Sequence, residues 1–180
     1  MTAIHVTKKS TSKSENSYDV FISYAWADNK NKFVNNLYKA LKDAGLEVWL
    51  DHKELPPAAD FVEEFLRGVQ KSDNFVPILT PNYLNSTNCG KELQSAIENK
   101  KRIVPIIREA IDFKQLPQEI ERVLAIQFEA TVDFNKALGE LLEAVNTDPK
   151  YVRAHTLLHR RAWEWQERGE ITVRLYGVPT

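Results

Sequence analysis

The sequence predicts an α/β fold: a flavodoxin-like, five-stranded parallel sheet of order 2-1-3-4-5 with helices on both faces, plus a C-terminal helical extension. Two observations predict it. From Tyr18 onward, short apolar runs rich in β-branched and aromatic residues alternate with longer amphipathic stretches, the rhythm of βαβ units whose strands are covered on both sides. The size also fits, since 180 residues make one domain with a short annex and 50 of them are Leu, Ile, Val or Phe, enough to bury a substantial core.

Val20-Phe21-Ile22 marks the first strand, and the runs 46–50, 75–79, 103–107 and 124–128 mark the other four. Pro77 and Pro105 each remove a ladder donor, so each is expected at a bulge, a strand end or an unpaired edge. Phe33, Leu37, Leu41 and Ala44 recur at helical spacing and stop at Gly45, a natural C-cap. Phe61, Val62, Phe65, Leu66 and Val69 mark the second helix. The third begins within Asn85-Ser86-Thr87-Asn88, any of which can N-cap, and runs through Leu93, Ala96 and Ile97. Phe134, Ala137, Leu138, Leu141, Leu142 and Val145 mark the last helix of the main body. Between Arg108 and Gln118 no pattern is clear. Residues 1–16 read as a disordered tail, 17–147 as the domain and 148–180 as a helical extension with a short tail. In that extension Tyr151, His155, Leu158, Ala162 and Trp165 share a helix face, expected to pack on the domain or on further sequence.

Lys plus Arg number 24 against 25 Asp plus Glu, so nothing steers the chain to a phosphate backbone or an acidic lipid surface, and neither nucleic acid nor membrane is expected as a partner. A single cysteine, Cys89, excludes an intrachain disulfide and a multi-cysteine zinc site. His5, His52, His155 and His159 lack ligand spacing, so no metal is expected. There is no apolar run of about 18–20 residues to cross a bilayer and no signal-peptide core near the N-terminus, which points to the cytoplasm. The phosphate-loop, dinucleotide-fold, hydrolase-elbow and zincin motifs are all missing.

Doubly wound sheets bind ligands outside the carboxyl ends of their strands, where the strand order switches between strands one and three. Here that crevice is lined by Ser23, Tyr24, Ala25 and Trp26 after the first strand, by residues 80–83 after the third, and by the N-terminus of the following helix. A phosphoreceiver of this topology needs an acid where the chain has Thr80-Pro81. The crevice offers instead Glu92, in or near the first turn of the third helix, where the helix dipole favours a carboxylate. An ionised glutamate in such a place suits the stabilisation of a developing cation.

Three segments, Ser17-Tyr18-Asp19-Val20-Phe21-Ile22-Ser23-Tyr24, Val48-Trp49-Leu50-Asp51 and Ser86-x-x-Cys89-x-x-Glu92-Leu93, together resemble the sequence boxes of a TIR (Toll/interleukin-1 receptor) domain. The resemblance covers about residues 17–146, and the variant loop Leu55-Pro56-Pro57-Ala58-Ala59-Asp60 is similar to bacterial members. Residues 148–169 resemble a helical extension of bacterial TIR proteins that continue into a signalling NTPase, so the chain is either a stand-alone effector or an excised fragment.

The resemblance implies an NAD+ nucleosidase that cleaves the nicotinamide–ribose bond to nicotinamide and ADP-ribose or a cyclised ADP-ribose, in signalling or defence. It needs no cofactor, NAD+ being the substrate. Glu92 is then the catalytic carboxylate, holding the nicotinamide-ribose hydroxyls and stabilising an oxocarbenium-like transition state. Trp49 stacks on the nicotinamide ring, and Tyr24, Ala25, Trp26, Tyr83 and Ser86 line the substrate pocket. Family enzymes often carry tryptophan four residues before the glutamate, where this chain has Asn88. The family also implies self-association, with Asp51, Lys53, Glu54, Leu55 and Pro57 in the assembly loop, and a downstream domain or other TIR proteins as partners. The alternative function is a non-catalytic scaffold for homotypic assembly, and a third is binding of a nucleotide-derived messenger without turnover.

Plainer roles stand beside these. Glu92 can be a first-turn acid that only complements the helix dipole, worth ~0.3–1 kcal/mol. Trp49, between Val48 and Leu50, is almost as readily a core residue as a stacking platform. Cys89 is better read as a small buried apolar side chain than as a nucleophile. Lys100-Lys101-Arg102 and His159-Arg160-Arg161 are solvated helix ends rather than a nucleic-acid footprint.

Overall fold

Strand β1 (Tyr18–Ser23) is the axis of the molecule. In the computed structural model, which describes residues 17–50, 61–148, 151–152, 154–158 and 161–162, it lies between β2 (Val48–Leu50) and β3 (Ser72–Leu79), parallel to both. Successive side chains of a strand point to opposite faces. Val20, Ile22 and Tyr24 accordingly enter one core, with Val34, Leu37, Leu41 and Leu141. Phe21 and Ala25 enter the other, with Phe65, Val69, Tyr83 and Leu93. Two buried faces are why the strand reads as an unbroken apolar run.

Helices α1 (Phe33–Asp43) and α6 (Phe134–Asn146) cover the first face; α2 (Phe61–Lys71), α3 (Pro81–Asn85) and α4 (Thr87–Glu98) cover the second. Gly45 ends α1 as the spacing predicts, at φ +86°. The Gly45 amide donates to the Lys42 carbonyl and the Leu46 amide to the Leu41 carbonyl, which is a Schellman closure that only a residue free to enter the left-handed region makes without strain. Asp133 caps α6 by accepting from the Lys136 amide at 2.8 Å.

The fourth predicted strand is present as two pieces, β4 (Arg102–Ile103) and β5 (Ile106–Ile107), both parallel to β3. The register explains the break. Asn74 opposes Arg102 and Ile78 opposes Ile106, so continuing either ladder brings Pro77 opposite Pro105. The amides of Val104 and Arg108 donate to the carbonyls of Phe75 and Leu79, which aims residue 77 at the same neighbour, where proline has no donor to give. Pro105 is turned the other way, its carbonyl accepting from the Ile126 amide, at the very start of the short edge strand β6 (Ile126–Gln127). With β4 and β5 taken together the order is the expected 2-1-3-4-5, β6 being the fifth strand.

That fifth strand is shorter than the sequence suggests, because Leu124 is 93 % exposed and lies outside the sheet. The unpatterned stretch after Arg108 holds a 3-10 turn (Phe113–Gln115) and the single-turn helix α5 (Gln118–Glu121). Both are too short to show a period, and they bury only Leu116 and Ile120. After α6, residues 151–152, 154–158 and 161–162 are helical. Tyr151, Leu158 and Ala162 are exposed there and His155 is half-buried, so three positions of the shared face do not pack on the domain, and Trp165 lies outside the described residues.

Candidate active site

The carboxyl ends of β1 and β3 meet the starts of α3 and α4. Chain direction there is set by two side-chain caps. Thr80, the first residue past β3, accepts the Tyr83 amide on its Oγ1 at 2.9 Å, and Pro81 takes the first helical position, where a missing N–H costs nothing. Ser86 caps α4 in the same way, its Oγ accepting from the Cys89 amide at 3.3 Å. The physical content of the Ser-x-x-Cys box is therefore a cap with a buried thiol inside it. From that start, Cys89, Glu92, Leu93 and Ala96 face the sheet and are buried.

Glu92 is the sixth residue of α4 and so lies in its second turn rather than in or near the first. The helix-dipole effect fades beyond the first turn, and another contact holds this carboxylate. Ser23, the last residue of β1, donates its hydroxyl to Glu92 Oε2 at 2.5 Å. Glu92 is 4 % exposed. The Tyr83 phenol is 3.0 Å from the same Ser23 Oγ. Since the one proton of Ser23 is committed to Glu92, Tyr83 is the donor in that pair. Burial, with Cys89 and Glu92 as further causes, holds the Tyr83 phenol well above the usual tyrosine range. It therefore remains an O–H donor at neutral pH.

A second cluster braces the first. Asp28, in the 3-10 turn (Trp26–Asn31) that follows β1, accepts from Thr80 Oγ1 at 2.6 Å and from Asn82 Nδ2 at 2.5 Å. Thr80 thus donates outward to Asp28 while accepting inward from Tyr83. Sequence reasoning passes over Asp28, which sits in a polar stretch with no periodicity. The only signal that could have found it is topological: it follows β1 just as Thr80 follows β3, on the two strands that flank the switch.

The remaining expected site residues are placed unevenly. Ala25 is buried on the Glu92 side of the sheet. Tyr24 is buried on the opposite side, among Val20, Ile22 and Leu37, so its ring does not line a pocket at Glu92; strand parity sends it away. Trp26 is 60 % exposed at the mouth of the loop. Trp49 has a partner other than the one expected: its indole is 4 % exposed and stacks on Phe21, with ring centroids 4.3 Å apart and planes 9° from parallel. Gly68 of α2 closes on the same indole so tightly that a Cβ there would stand 2.6 Å from Trp49 Cε2. Here Trp49 is a core side chain rather than an open platform. Tyr83 and Ser86 have their oxygens engaged by Ser23 and the Cys89 amide as described. Asp51, Lys53, Glu54, Leu55 and Pro57 lie outside the described residues.

A groove of about 670 Å³ runs between the outer sides of α2 and α4, lined by Leu66, Gln70, Gly90, Lys91 and Gln94 among others, and Glu92 does not line it. No helix among the described residues is long and apolar enough to cross a membrane.

Residues 20–142 match the sequence model of the TIR domain family. The chain is 28 % identical over 148 residues to a probable 2′ cyclic ADP-D-ribose synthase of Brachypodium distachyon, covering 73 % of this chain and 66 % of that protein. It is 33 % identical over 117 residues to the NAD(+) hydrolase tir-1 of Caenorhabditis elegans, covering 58 % of this chain but 12 % of the relative. The chain thus spans just under two thirds of one curated relative and about an eighth of the other. Among solved structures, the TIR domain of a Toll-related receptor from Hydra magnipapillata superposes with a TM-score of 0.60 at 20 % identity, over 76 % of this chain and 99 % of that one. At that identity the likeness bears on the fold.

Proposed function

The chain belongs to the TIR domain family, and from that premise we propose that it is an NAD+ nucleosidase with Glu92 as its catalytic carboxylate. One observation carries the reading: a glutamate at the β1/β3 switch whose carboxylate receives a short hydrogen bond from a hydroxyl, Ser23. A ribose hydroxyl presents the same donor. With NAD+ bound, Glu92 accepts from the nicotinamide-ribose hydroxyls and its negative charge stabilises the oxocarbenium-like transition state. The C1′–N bond breaks with its electron pair going to the pyridinium ring, so nicotinamide leaves neutral and no general acid is needed. Water then adds to C1′, its proton passing to solvent, to give ADP-ribose; a hydroxyl of the same molecule adding instead gives a cyclic product. The names of the plant and nematode relatives, a cyclic ADP-ribose synthase and an NAD+ hydrolase, support both outcomes.

Because Glu92 is 4 % exposed, turnover requires the carboxylate to be uncovered, and self-association, in a signalling or defence setting, is the proposed trigger. The same burial favours a second reading, a scaffold that assembles with other TIR domains without turning over substrate. Chromatographic measurement of nicotinamide release across a wide protein concentration range separates them. The enzyme reading expects release that rises faster than linearly with concentration and falls about hundredfold or more in Glu92→Gln, with assembly unchanged by sedimentation. Assembly without release from either protein would leave the scaffold.

A further inference from the structure

Three groups from three elements converge on one another: Ser23 from the end of β1, Tyr83 from α3 and Glu92 from α4. All three are at least 95 % buried, and a buried hydroxyl is retained at a cost unless its hydrogen bonds are made. Ser23 makes both of its bonds here, accepting from Tyr83 and donating to Glu92. We propose that Ser23 is a positioning residue for Glu92: its hydroxyl, oriented from behind by the Tyr83 phenol, fixes one carboxylate oxygen and so sets the face that Glu92 turns to the nicotinamide ribose. This deepens the nucleosidase reading and rests on it for the identity of the ribose.

The direction of each bond follows from the chemistry. Tyr83 remains protonated because burial disfavours its anion. A carboxylate only accepts, so Ser23 donates to Glu92, and with that proton spent Ser23 can only accept from the protonated phenol. A carboxylate on a flexible two-methylene stem gains a single orientation this way, and orientation to within about half an ångström is what separates a productive site from a loose one. The frame that holds Tyr83 is itself fixed, since its amide is capped by Thr80 and Thr80 is tied to Asp28.

The test uses the full chain and three variants: Ser23→Ala, Tyr83→Phe and the double variant. Loss of a hydrogen bond to a charged group predicts that Ser23→Ala lowers kcat for nicotinamide release about ten- to hundredfold while KM changes little. Tyr83→Phe lowers kcat in the parent and has no added effect in the Ser23→Ala background, because the phenol acts through the serine. Additive losses, which two independent packing defects would give, overturn the proposal, as does an unchanged or raised kcat in Ser23→Ala. If Ser23→Ala does not fold, Tyr83→Phe alone carries the kcat-against-KM comparison, and an unchanged kcat there is equally fatal.

A readout independent of turnover is the carboxyl titration of Glu92 followed by ¹³C NMR. Tyr83 of α3 and Cys89 of α4, which share an electrostatic cluster with Glu92, are present in both proteins, as is every other titratable group, so the comparison isolates Ser23. Removing a donor from the charged form moves the midpoint upward. A midpoint that stays put overturns the proposal. Absence of NAD+ cleavage by the parent, with an upward midpoint in Ser23→Ala, refutes the nucleosidase reading and leaves the positioning contact standing.

Discussion

Asp28 and Thr80 face each other across the switch in the sheet, carboxylate Oδ2 to hydroxyl Oγ1 at 2.6 Å. The contact, with Asn82 on the other carboxylate oxygen, joins the loop that leaves β1 to the residue that follows β3, so two segments far apart in sequence are held by one carboxylate. Thr80 is fully buried, which decides what its loss costs.

Asp28→Ala leaves a buried hydroxyl without its acceptor and is expected to destabilise the fold by about 1–3 kcal/mol. Urea unfolding measures it. In Thr80→Val the added cost of Asp28→Ala falls, since the two residues share the interaction; equal costs in both backgrounds would show that the contact contributes nothing.

Gly68→Ala is expected to destabilise by about 1–3 kcal/mol through overpacking, although alanine is the better helix former. The new methyl would stand 2.6 and 2.9 Å from two ring atoms of Trp49. Thermal melts report the loss, and near-ultraviolet circular dichroism reports the displaced indole. A neutral or stabilising Gly68→Ala contradicts the packing described for Trp49.

Gly45→Ala tests a different property of glycine. Nothing lies within 4 Å of a Cβ at this position, but the backbone is at φ +86°. Strain alone then predicts a loss of about 1 kcal/mol, with Gly45→Asn milder because asparagine enters the left-handed region more readily. The expected order in melting temperature, read from thermal melts, is Gly above Asn above Ala.

Burial, with Cys89 and Glu92 nearby, holds the Tyr83 phenol well above the usual tyrosine range. The sign of the linked stability effect follows. As pH rises past about 10, the unfolded chain releases the phenolic proton that the folded chain keeps, so the unfolded state gains and stability falls. The contribution is fully present below pH 10 and is lost as pH rises toward the folded midpoint. Ultraviolet difference titration of Tyr83→Phe against the parent is expected to remove a tyrosine that ionises above the usual range.

Much of this architecture is legible in the residues. Each of the five apolar runs forms a strand or part of one, Gly45 ends its helix, and Ser86 starts the helix that carries Glu92. The prolines could be flagged but not paired: that Pro77 meets Pro105 depends on a register between strands that neither strand encodes alone. Tyr24 is a different kind of miss. Its parity with Val20 and Ile22 is written in the sequence and already assigns it to the far face, whereas resemblance of the box as a whole groups it with Ser23. Asp28 and the Ser23–Tyr83 contact were not legible, because polar side chains joined across 50 or more residues leave no local pattern.

The alternation along β1 also bears on how this chain tolerates change in length. Deleting one residue between Val20 and Ser23 would exchange the two faces at every later position of the strand, bringing the Tyr24 ring to the serine's place beside Glu92 and the serine hydroxyl into the apolar space that Ile22 fills. Two cores and a site would fail together. Lengthening or shortening the chain beyond Ala25 keeps the parity of the strand but moves Asp28 relative to Thr80 and Asn82. Variation in length is therefore expected to be excluded within the strand itself, Tyr18–Ser23, where substitutions survive but insertions and deletions do not.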